Sequence, residues 1–216
     1  MSEIKLVVFD CDGVMFDSRR ANQEYYNHIL ARFGRPTMDH DELDYVHTHH
    51  AGDSIRHIFR NYPADLAAVK DYCRQLDYTA FLQYMHMEPD LLEFLAYLRP
   101  QRKTAISTNR TTTMPLVLEV FKLTACFDQV VTAQDVVNPK PHPEALERIL
   151  RTLAVGPEHT IYIGDSQIDR EHTTGAGIPL IAFKNPALAA EYHVNSFMEI
   201  IKLPPFQPDT WLRAGE

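Results

Sequence analysis

The sequence has no long apolar run. A bilayer-spanning helix needs about 20 consecutive apolar residues, and the apolar stretches here stop short of that, so no membrane partner is expected. The N-terminal MSEIKLVVFD lacks the form of a secretory signal, because its apolar run is short and already ends in acid. Cysteine is scarce: Cys11, Cys73 and Cys126 leave one odd, form no metal-type pair and offer no disulfide framework. A reduced, cytoplasmic setting is the expectation that follows. Positive charge is not in excess either. With 21 Lys and Arg against 29 Asp and Glu, the formal charge is −8, which argues against a nucleic-acid-binding face. Internal repeats and low-complexity tracts are also missing.

What is present is an ordinary globular balance. The 216 residues are 45% hydrophobic and 23% charged, enough for one sizeable core with a smaller appendage. Residues 4–9 form a continuous apolar run, the pattern of a strand buried on both faces. From residue 103 the chain alternates. KTAIST, FDQVVTA, TIYIGD and PLIAF read as strands, and TTMPLVLEVFKL, HPEALERILRTL and QIDREHTTGAG between them as helices. Such alternation predicts an α/β fold: a doubly wound, mainly parallel, Rossmann-like sheet with helices on both faces.

Residues 19–87 differ, with helix and loop signals and no convincing strand. RRANQEYYNHILARFG has helical spacing and stops at Gly34 with Pro36 beyond it. The expected division is a core of 1–18 and 88–216 with a helical insertion of 19–87. That insertion follows the first strand and so lies over the carboxyl ends of the strands, where open α/β sheets bind ligands. EPDLLEFLAYL returns the chain to the core as a helix, and the proline-rich tail LPPFQPDTWLRAGE is expected to lie along the surface.

Four strand ends run out into polar groups. VVFDCDGV carries Asp10 and Asp12, TAISTNR carries Ser107, Thr108 and Asn109, NPKPHPE holds Lys140 between prolines, and YIGDSQID carries Asp165 and Asp169. Two like charges at the end of a buried strand cost several kcal/mol unless something positive compensates. Each piece has a plain alternative: a solvated turn for DCD, a helix cap for STN, an exposed lysine for NPKP, a turn and cap for GDSQID. Their joint occurrence, in order and each at a strand end, favours a single site. Carboxylates prefer a hard cation such as Mg²⁺, which also binds substrate phosphate. A lysine, a hydroxyl and loop N–H groups suit the remaining phosphate oxygens.

With these motifs the chain resembles the haloacid-dehalogenase-like superfamily, in its helical-cap branch near the phosphoglycolate phosphatases and β-phosphoglucomutases. The resemblance runs from about residue 4 to about residue 190 and rests on DCDGV, STN, KPHPE and GDSQID. The DxDG form resembles the phosphatases and mutases rather than the dehalogenases. It implies Asp10 as nucleophile of an aspartyl-phosphate intermediate, and Asp12 as the acid that protonates the leaving alcohol and then activates water. Thr108 and Lys140 would hold the transferring phosphoryl oxygens. The implied Mg²⁺ set is Asp10, Asp12 through its main-chain carbonyl, Asp165, and Asp169 in support. Phosphoryl transfer needs mainly charge neutralisation and positioning, which such a set supplies.

There are departures. An aliphatic residue and paired alanines commonly follow the last aspartate in the family; this chain has Arg170, His172 and Thr173. Cys11 reads as a small packing residue. Arg110 reads either as solvated or, with Asn109, as a substrate contact. In the insertion, VHTHHAGDSIRHIF holds His47, His49, His50 and His57. Three readings stand: a zinc cluster without companion ligands, a solvated loop before a helix capped by Asp53 or Ser54, or a reader of substrate through His49 and His50. Related mutases carry an arginine near this point, where the chain has Ala51-Gly52, with Arg56 and Arg60 as the substitutes to consider. The expected activity is Mg²⁺-dependent hydrolysis of a small phosphomonoester, phosphoglycolate being typical of the family. The rivals are a sugar-phosphate mutase and a catalytically silent binding protein on the same fold.

Overall fold

LVVF is buried at every residue because its strand, β1 (Leu6–Phe9), lies inside a parallel sheet. The computed structural model describes residues 3–207. After β1 come a short strand β2 (Phe16–Asp17) and four helices, α1 (Arg19–Arg32), α2 (His40–Thr48), α3 (Ala51–Ile58) and α4 (Leu66–Gln75). A second short strand, β3 (His86–Met87), and helix α5 (Leu91–Leu98) follow. The alternation then runs β4 (Lys103–Thr108), α6 (Met114–Val120), β5 (Gln129–Thr132), α7 (Glu144–Leu153), β6 (Thr160–Gly164), α8 (Gln167–Ala176) and β7 (Leu180–Phe183). The chain closes with β8 (Tyr192–Val194) and α9 (Phe197–Ile200).

The sheet order is β5-β4-β1-β6-β7-β8, with every pair parallel. From β1 the chain goes out through β4 and β5 on one side, then returns to β6 on the other. The crevice at the carboxyl ends of β4, β1 and β6 is therefore the switch point of a doubly wound sheet. Side chains alternate between two cores. Leu6 and Val8 pack with Tyr162, Leu180 and Ile149 of α7, while Val7 and Phe9 face the helices α5, α6 and α9. Phe9 sits among Phe94, Phe127 and Phe197 at 6.0, 5.7 and 5.9 Å between ring centroids. Burying aromatic rings of this size is worth about 2–3 kcal/mol each.

Helices α1 to α4 build a third core of their own, including Ile29, Leu30, Val46, Ile58, Phe59 and Val69. Helix α2 starts on a capping box between Asp39 and Glu42. The chain enters and leaves this helical block through an antiparallel pair, Phe16 with Met87 and Asp17 with His86. The stretch expected to be free of strands thus ends in one. Two further elements, β8 and α9, are too short to carry a periodic signal. The tail departs from a simple surface path as well: Phe206 is buried against Phe94, at 6.2 Å between centroids. Residues 208–216 of that tail lie outside the described residues. The three cysteines are free, with Cys11 buried. Among the described residues no helix is long and apolar enough to cross a membrane.

Candidate active site

Asp10 is the first residue past β1, still held to the sheet by its N–H on Ile163 O at 2.9 Å. Its Oδ1 accepts from Cys11 N at 2.7 Å and lies 2.9 Å from Lys140 Nζ. Oδ2 has no protein donor among the described residues. Burial pushes this carboxyl up, Lys140 opposes the shift, and the nearby Asp169 and Asp12 add to it, leaving Asp10 at about 7. Gly13 follows with φ +78°, and a Cβ there would run into the carboxylate of Asp165. The turn after DCD therefore needs glycine on both counts.

Lys140 is the hub. Its Nζ reaches Asp10 Oδ1 at 2.9 Å, Asp169 Oδ1 at 2.7 Å and Tyr162 Oη at 3.0 Å. Three N–H groups thus meet three acceptors. Burial lowers its pKa, but Asp10 and Asp169 more than reverse this and hold the ammonium charged. Asp169 is saturated by protein donors: Lys140 and Tyr162 on Oδ1, and Ser166 Oγ with the N–H groups of Asp165 and Ser166 on Oδ2. Burial raises its carboxyl and the lysine outweighs that, so it stays below the ordinary carboxylate value. It also forms a capping box with Ser166 at the start of α8.

Asp165 is the opposite case. No protein donor reaches its carboxylate among the described residues, and burial, then Asp169 and Asp10, pushes it well above the ordinary range. Carboxylate oxygens of Asp10, Asp165 and Asp169 lie within 4.8 Å of one another, the one such group of metal-ligating side chains among the described residues. With Asp169 saturated, Asp10, which is buried, and Asp165, which is half-buried, keep open oxygens, and the lysine contacts Asp10. A divalent cation fits that donor set, because it keeps both ionised and takes the oxygens that no protein donor fills. The insertion's histidines form no comparable group.

Asp12 points across the cleft. Arg110 Nε and Nη2 donate to its two oxygens, each at 2.7 Å, and Ser18 Oγ donates to Oδ1. Burial raises the Asp12 carboxyl, and Arg110 with help from His47 and Ser18 brings it below the ordinary value. Arg110 is thus buried in an ion pair, not solvated, which sequence spacing does not reveal because the partners are 98 positions apart. Thr108, at the end of β4, is buried and its Oγ1 accepts from Arg110 N at 3.1 Å. Asn109 donates from Nδ2 to Thr48 O and Lys140 O, both at 3.3 Å. Two carbonyls fix that amide orientation and leave Oδ1 buried without a partner.

The cleft above these groups encloses about 780 Å³ including its mouth, with α1, α2 and the start of α3 as its far wall. The histidines divide. His47, passed over in favour of its neighbours, lines the cleft and accepts from Asn22 Nδ2 at 3.0 Å on Nδ1. Burial lowers its pKa against the pull of Asp12, so the ring is neutral and Nε2–H remains to donate. His49 also borders the cleft, but its ring stacks on Tyr45 at 3.7 Å. His57 stacks on Tyr45 at 3.9 Å, so the two imidazoles take its two faces. His50 does not line the cleft. It caps α3 by accepting from Gly52 N, displacing the expected caps Asp53 and Ser54, and pairs with Asp53 at 2.6 Å. Arg56 and Arg60 are held by Asp53 and Glu42 away from the cleft. Tyr25, Tyr26 and Tyr78 also border it. The signal for the first two was present, since Asn22, Tyr25 and Tyr26 share one face of α1.

His172 replaces a residue expected to be small. It is buried, with Nδ1 2.7 Å from His142 O and Nε2 2.9 Å from Ser107 Oγ. The carbonyl accepts, so Nδ1 carries the proton and Nε2 accepts from the serine. The ring braces the end of β4 against the lysine loop, and burial pushes its pKa down to about 3.

Residues 7–183 fit the family model described as haloacid dehalogenase-like hydrolase. The chain belongs to that family. A solved haloacid dehalogenase-superfamily hydrolase, subfamily IA, variant 1, from Geobacter sulfurreducens is 36% identical with a TM-score of 0.81, over 92% of this chain and 98% of that one. The pyrophosphatase PpaX of Bacillus mycoides is 27% identical over 184 residues, 83% of each chain. A structure described as a predicted phosphoglycolate phosphatase from Haemophilus somnus shares the fold at 20% identity, with a TM-score of 0.80 over 94% of this chain and 98% of that one. As a haloacid dehalogenase-like hydrolase, the chain is an enzyme.

Proposed function

We propose that this hydrolase cleaves small phosphomonoesters through an aspartyl-phosphate on Asp10. The observation that carries the reading is the pair of open carboxylates, Asp10 and Asp165, with a lysine held charged against Asp10. Asp10, Asp165 and the main-chain carbonyl of Asp12 would hold Mg²⁺, with Asp169 in support through Lys140 and Ser166. When bound, the cation neutralises phosphate charge and that of the carboxylates. Asp10 attacks phosphorus and the bond to the leaving oxygen breaks, that oxygen taking a proton that Asp12 first picks up from solvent and relays to it. Water then attacks the acyl phosphate, returns its proton to Asp12 and releases inorganic phosphate. Lys140 and Thr108 steady the phosphoryl oxygens. The pyrophosphatase and phosphoglycolate phosphatase names of the relatives support phosphate-ester chemistry with small substrates. A panel of phosphorylated metabolites with purified protein tests it. Phosphate release with Mg²⁺ and none with excess chelator is the expected result, whereas turnover of a sugar monophosphate to its positional isomer would favour the mutase.

Residues 19–87 act in this reading as a cap that closes on the site, hinged at the pair of β2 and β3. Asn109 joins it to the core through Thr48 O. The substrate reader on the cap is His47, which lines the cleft with its Nε2–H left to donate, in place of His49 and His50. His47→Ala is expected to change relative kcat/KM among natural phosphate esters by about 5- to 150-fold, the scale of one buried hydrogen bond of about 1–3 kcal/mol. His50→Ala should leave those ratios within about twofold. Equal profiles for wild type and His47→Ala would remove the histidine from recognition.

A further inference from the structure

We infer that His172 is a positioning residue, which sets the reach of Lys140 toward the phosphoryl group by holding the His142 carbonyl. The inference deepens the phosphatase reading and rests on it. Its origin is a buried imidazole with a partner on each of two neighbouring elements.

Thr108, Lys140 and, through the lysine, Asp169 would steady the transferring phosphate. They stand on separate elements: the end of β4, the loop before α7 and the start of α8. His172 connects all of these. It lies on α8 one turn beyond Asp169. Its Nε2 accepts at 2.9 Å from Oγ of Ser107, the residue before Thr108. Its Nδ1–H donates at 2.7 Å to the carbonyl of His142, which follows Pro141 in the lysine loop. His172 and Ser107 are both wholly buried, and the ring meets Tyr162 edge-on at 5.8 Å between centroids. A carbonyl can only accept, which puts the proton on Nδ1. Burial pushes the ring's pKa down to about 3, so it stays neutral and keeps this arrangement of donor and acceptor.

The lysine loop has few other ties. Ahead of Lys140, Glu144 takes the N–H groups of Val137 and Asn138. Pro139 and Pro141 flank the lysine and offer no N–H, so the segment around it is held through its carbonyls. Lys140 O accepts from Asn109 Nδ2 at 3.3 Å, but that amide also binds Thr48 O and is shared with the cap. Pro139 O accepts from His142 N at 3.0 Å, a bond inside the loop itself. The His142 carbonyl has His172 as its one donor among the described residues. This is the tie that joins the loop to the core past the lysine and does not depend on the cap. Without it, Asp10, Asp169 and Tyr162 hold Nζ only from the far end of a long side chain. A displacement of about 1 Å at a group that stabilises a transition state costs on the order of 10²-fold in rate.

Two variants separate the ties. The amide of asparagine sits at the distance of Nδ1 from Cβ and keeps an N–H for the His142 carbonyl. That of glutamine sits at the distance of Nε2 and keeps an acceptor for Ser107. Each loses one buried hydrogen bond, so His172→Asn and His172→Gln should melt within a few degrees of each other. Function should divide them. With p-nitrophenyl phosphate and Mg²⁺, His172→Asn is expected to keep kcat/KM within about 3-fold of wild type, and His172→Gln to lose on the order of 10- to 100-fold. Affinity for orthovanadate, whose five-coordinate form resembles phosphorus under attack, should fall by the same factor in calorimetric titration of the full chain. Equal activities in the two variants, or losses that follow melting temperature instead of the retained tie, would overturn the inference. Nitrogen NMR of the wild-type imidazole tests it even if a variant does not fold: the proton is expected on Nδ1, and a ring protonated on Nε2 overturns it. Turnover by wild type with no difference between the variants overturns the inference alone. No turnover by wild type, with vanadate affinity still divided between the variants, overturns the phosphatase reading and leaves His172 as the positioner of an oxyanion site.

Discussion

Asp10→Asn reduces Mg²⁺-dependent phosphate release to background while the protein stays folded. Asparagine keeps the Oδ1 acceptor that Cys11 N and Lys140 Nζ use, so the turn after β1 retains its ties. What it loses is the anionic oxygen that would become the acyl phosphate, and no neighbouring acid is placed to substitute. Asp169 is saturated by five donors, Asp12 lies across the cleft on Arg110, and Asp165 would be taken up by the cation. Removing the charge also relieves repulsion with Asp169 and Asp12, which now helps to raise Asp10 to about 7. The melting temperature should therefore stay within a few degrees of wild type or rise. Phosphate release on an aryl phosphate and calorimetry on the same preparation read the two effects. Residual turnover above a few per cent in a folded Asp10→Asn protein would sink the covalent mechanism.

Asp12→Asn loses turnover by on the order of 10²- to 10⁴-fold if Asp12 is the acid and base, but the structure adds a second effect. The amide presents one acceptor and one donor to a guanidinium that now donates to both oxygens. Arg110 is left facing an N–H, and breaking a buried pair in this way costs about 3–5 kcal/mol. For a chain of this size that corresponds to a fall in melting temperature of roughly 6 °C or more. Adding Arg110→Met removes the stranded charge, so the double variant recovers much of the stability. Proton transfer does not return with it. The loss in Asp12→Asn and in the double variant should be larger for alkyl than for aryl phosphates, because poor leaving groups need the proton. Equal losses for both ester types would mean that Asp12 only shapes the site.

The parts of the site that the sequence announces are those that local chain direction places. A strand buried on both faces must end at the sheet edge, so Asp10, Thr108 and Asp165 share that edge once the alternation of strands and helices is read. Lys140 joins them because its loop follows β5 and leads into α7. The partners that decide chemistry are set by tertiary packing and leave no periodic trace. Arg110 has the look of a solvated arginine until the turn carrying Asp12 is folded beside it. His47 lies on α2 beside Asn22 of α1, whereas His49 and His50 fall in the turn between α2 and α3. His50 is an unusual helix cap, so Asp53 and Ser54 take precedence on propensity alone. The pair of β2 and β3 and the late β8 are each too short to be distinguished from loop.

The three acceptors around Lys140 also have a consequence for covalent reactivity. An amine attacks an acylating reagent or an aldehyde through its lone pair, and a lysine held as ammonium with every N–H engaged has none to offer. The other lysines among the described residues are exposed. Amine-directed reagents will therefore label the surface first and leave the one lysine at the reacting centre untouched while the fold holds. The group that carries the positive charge of the site is also the least nucleophilic amine in it.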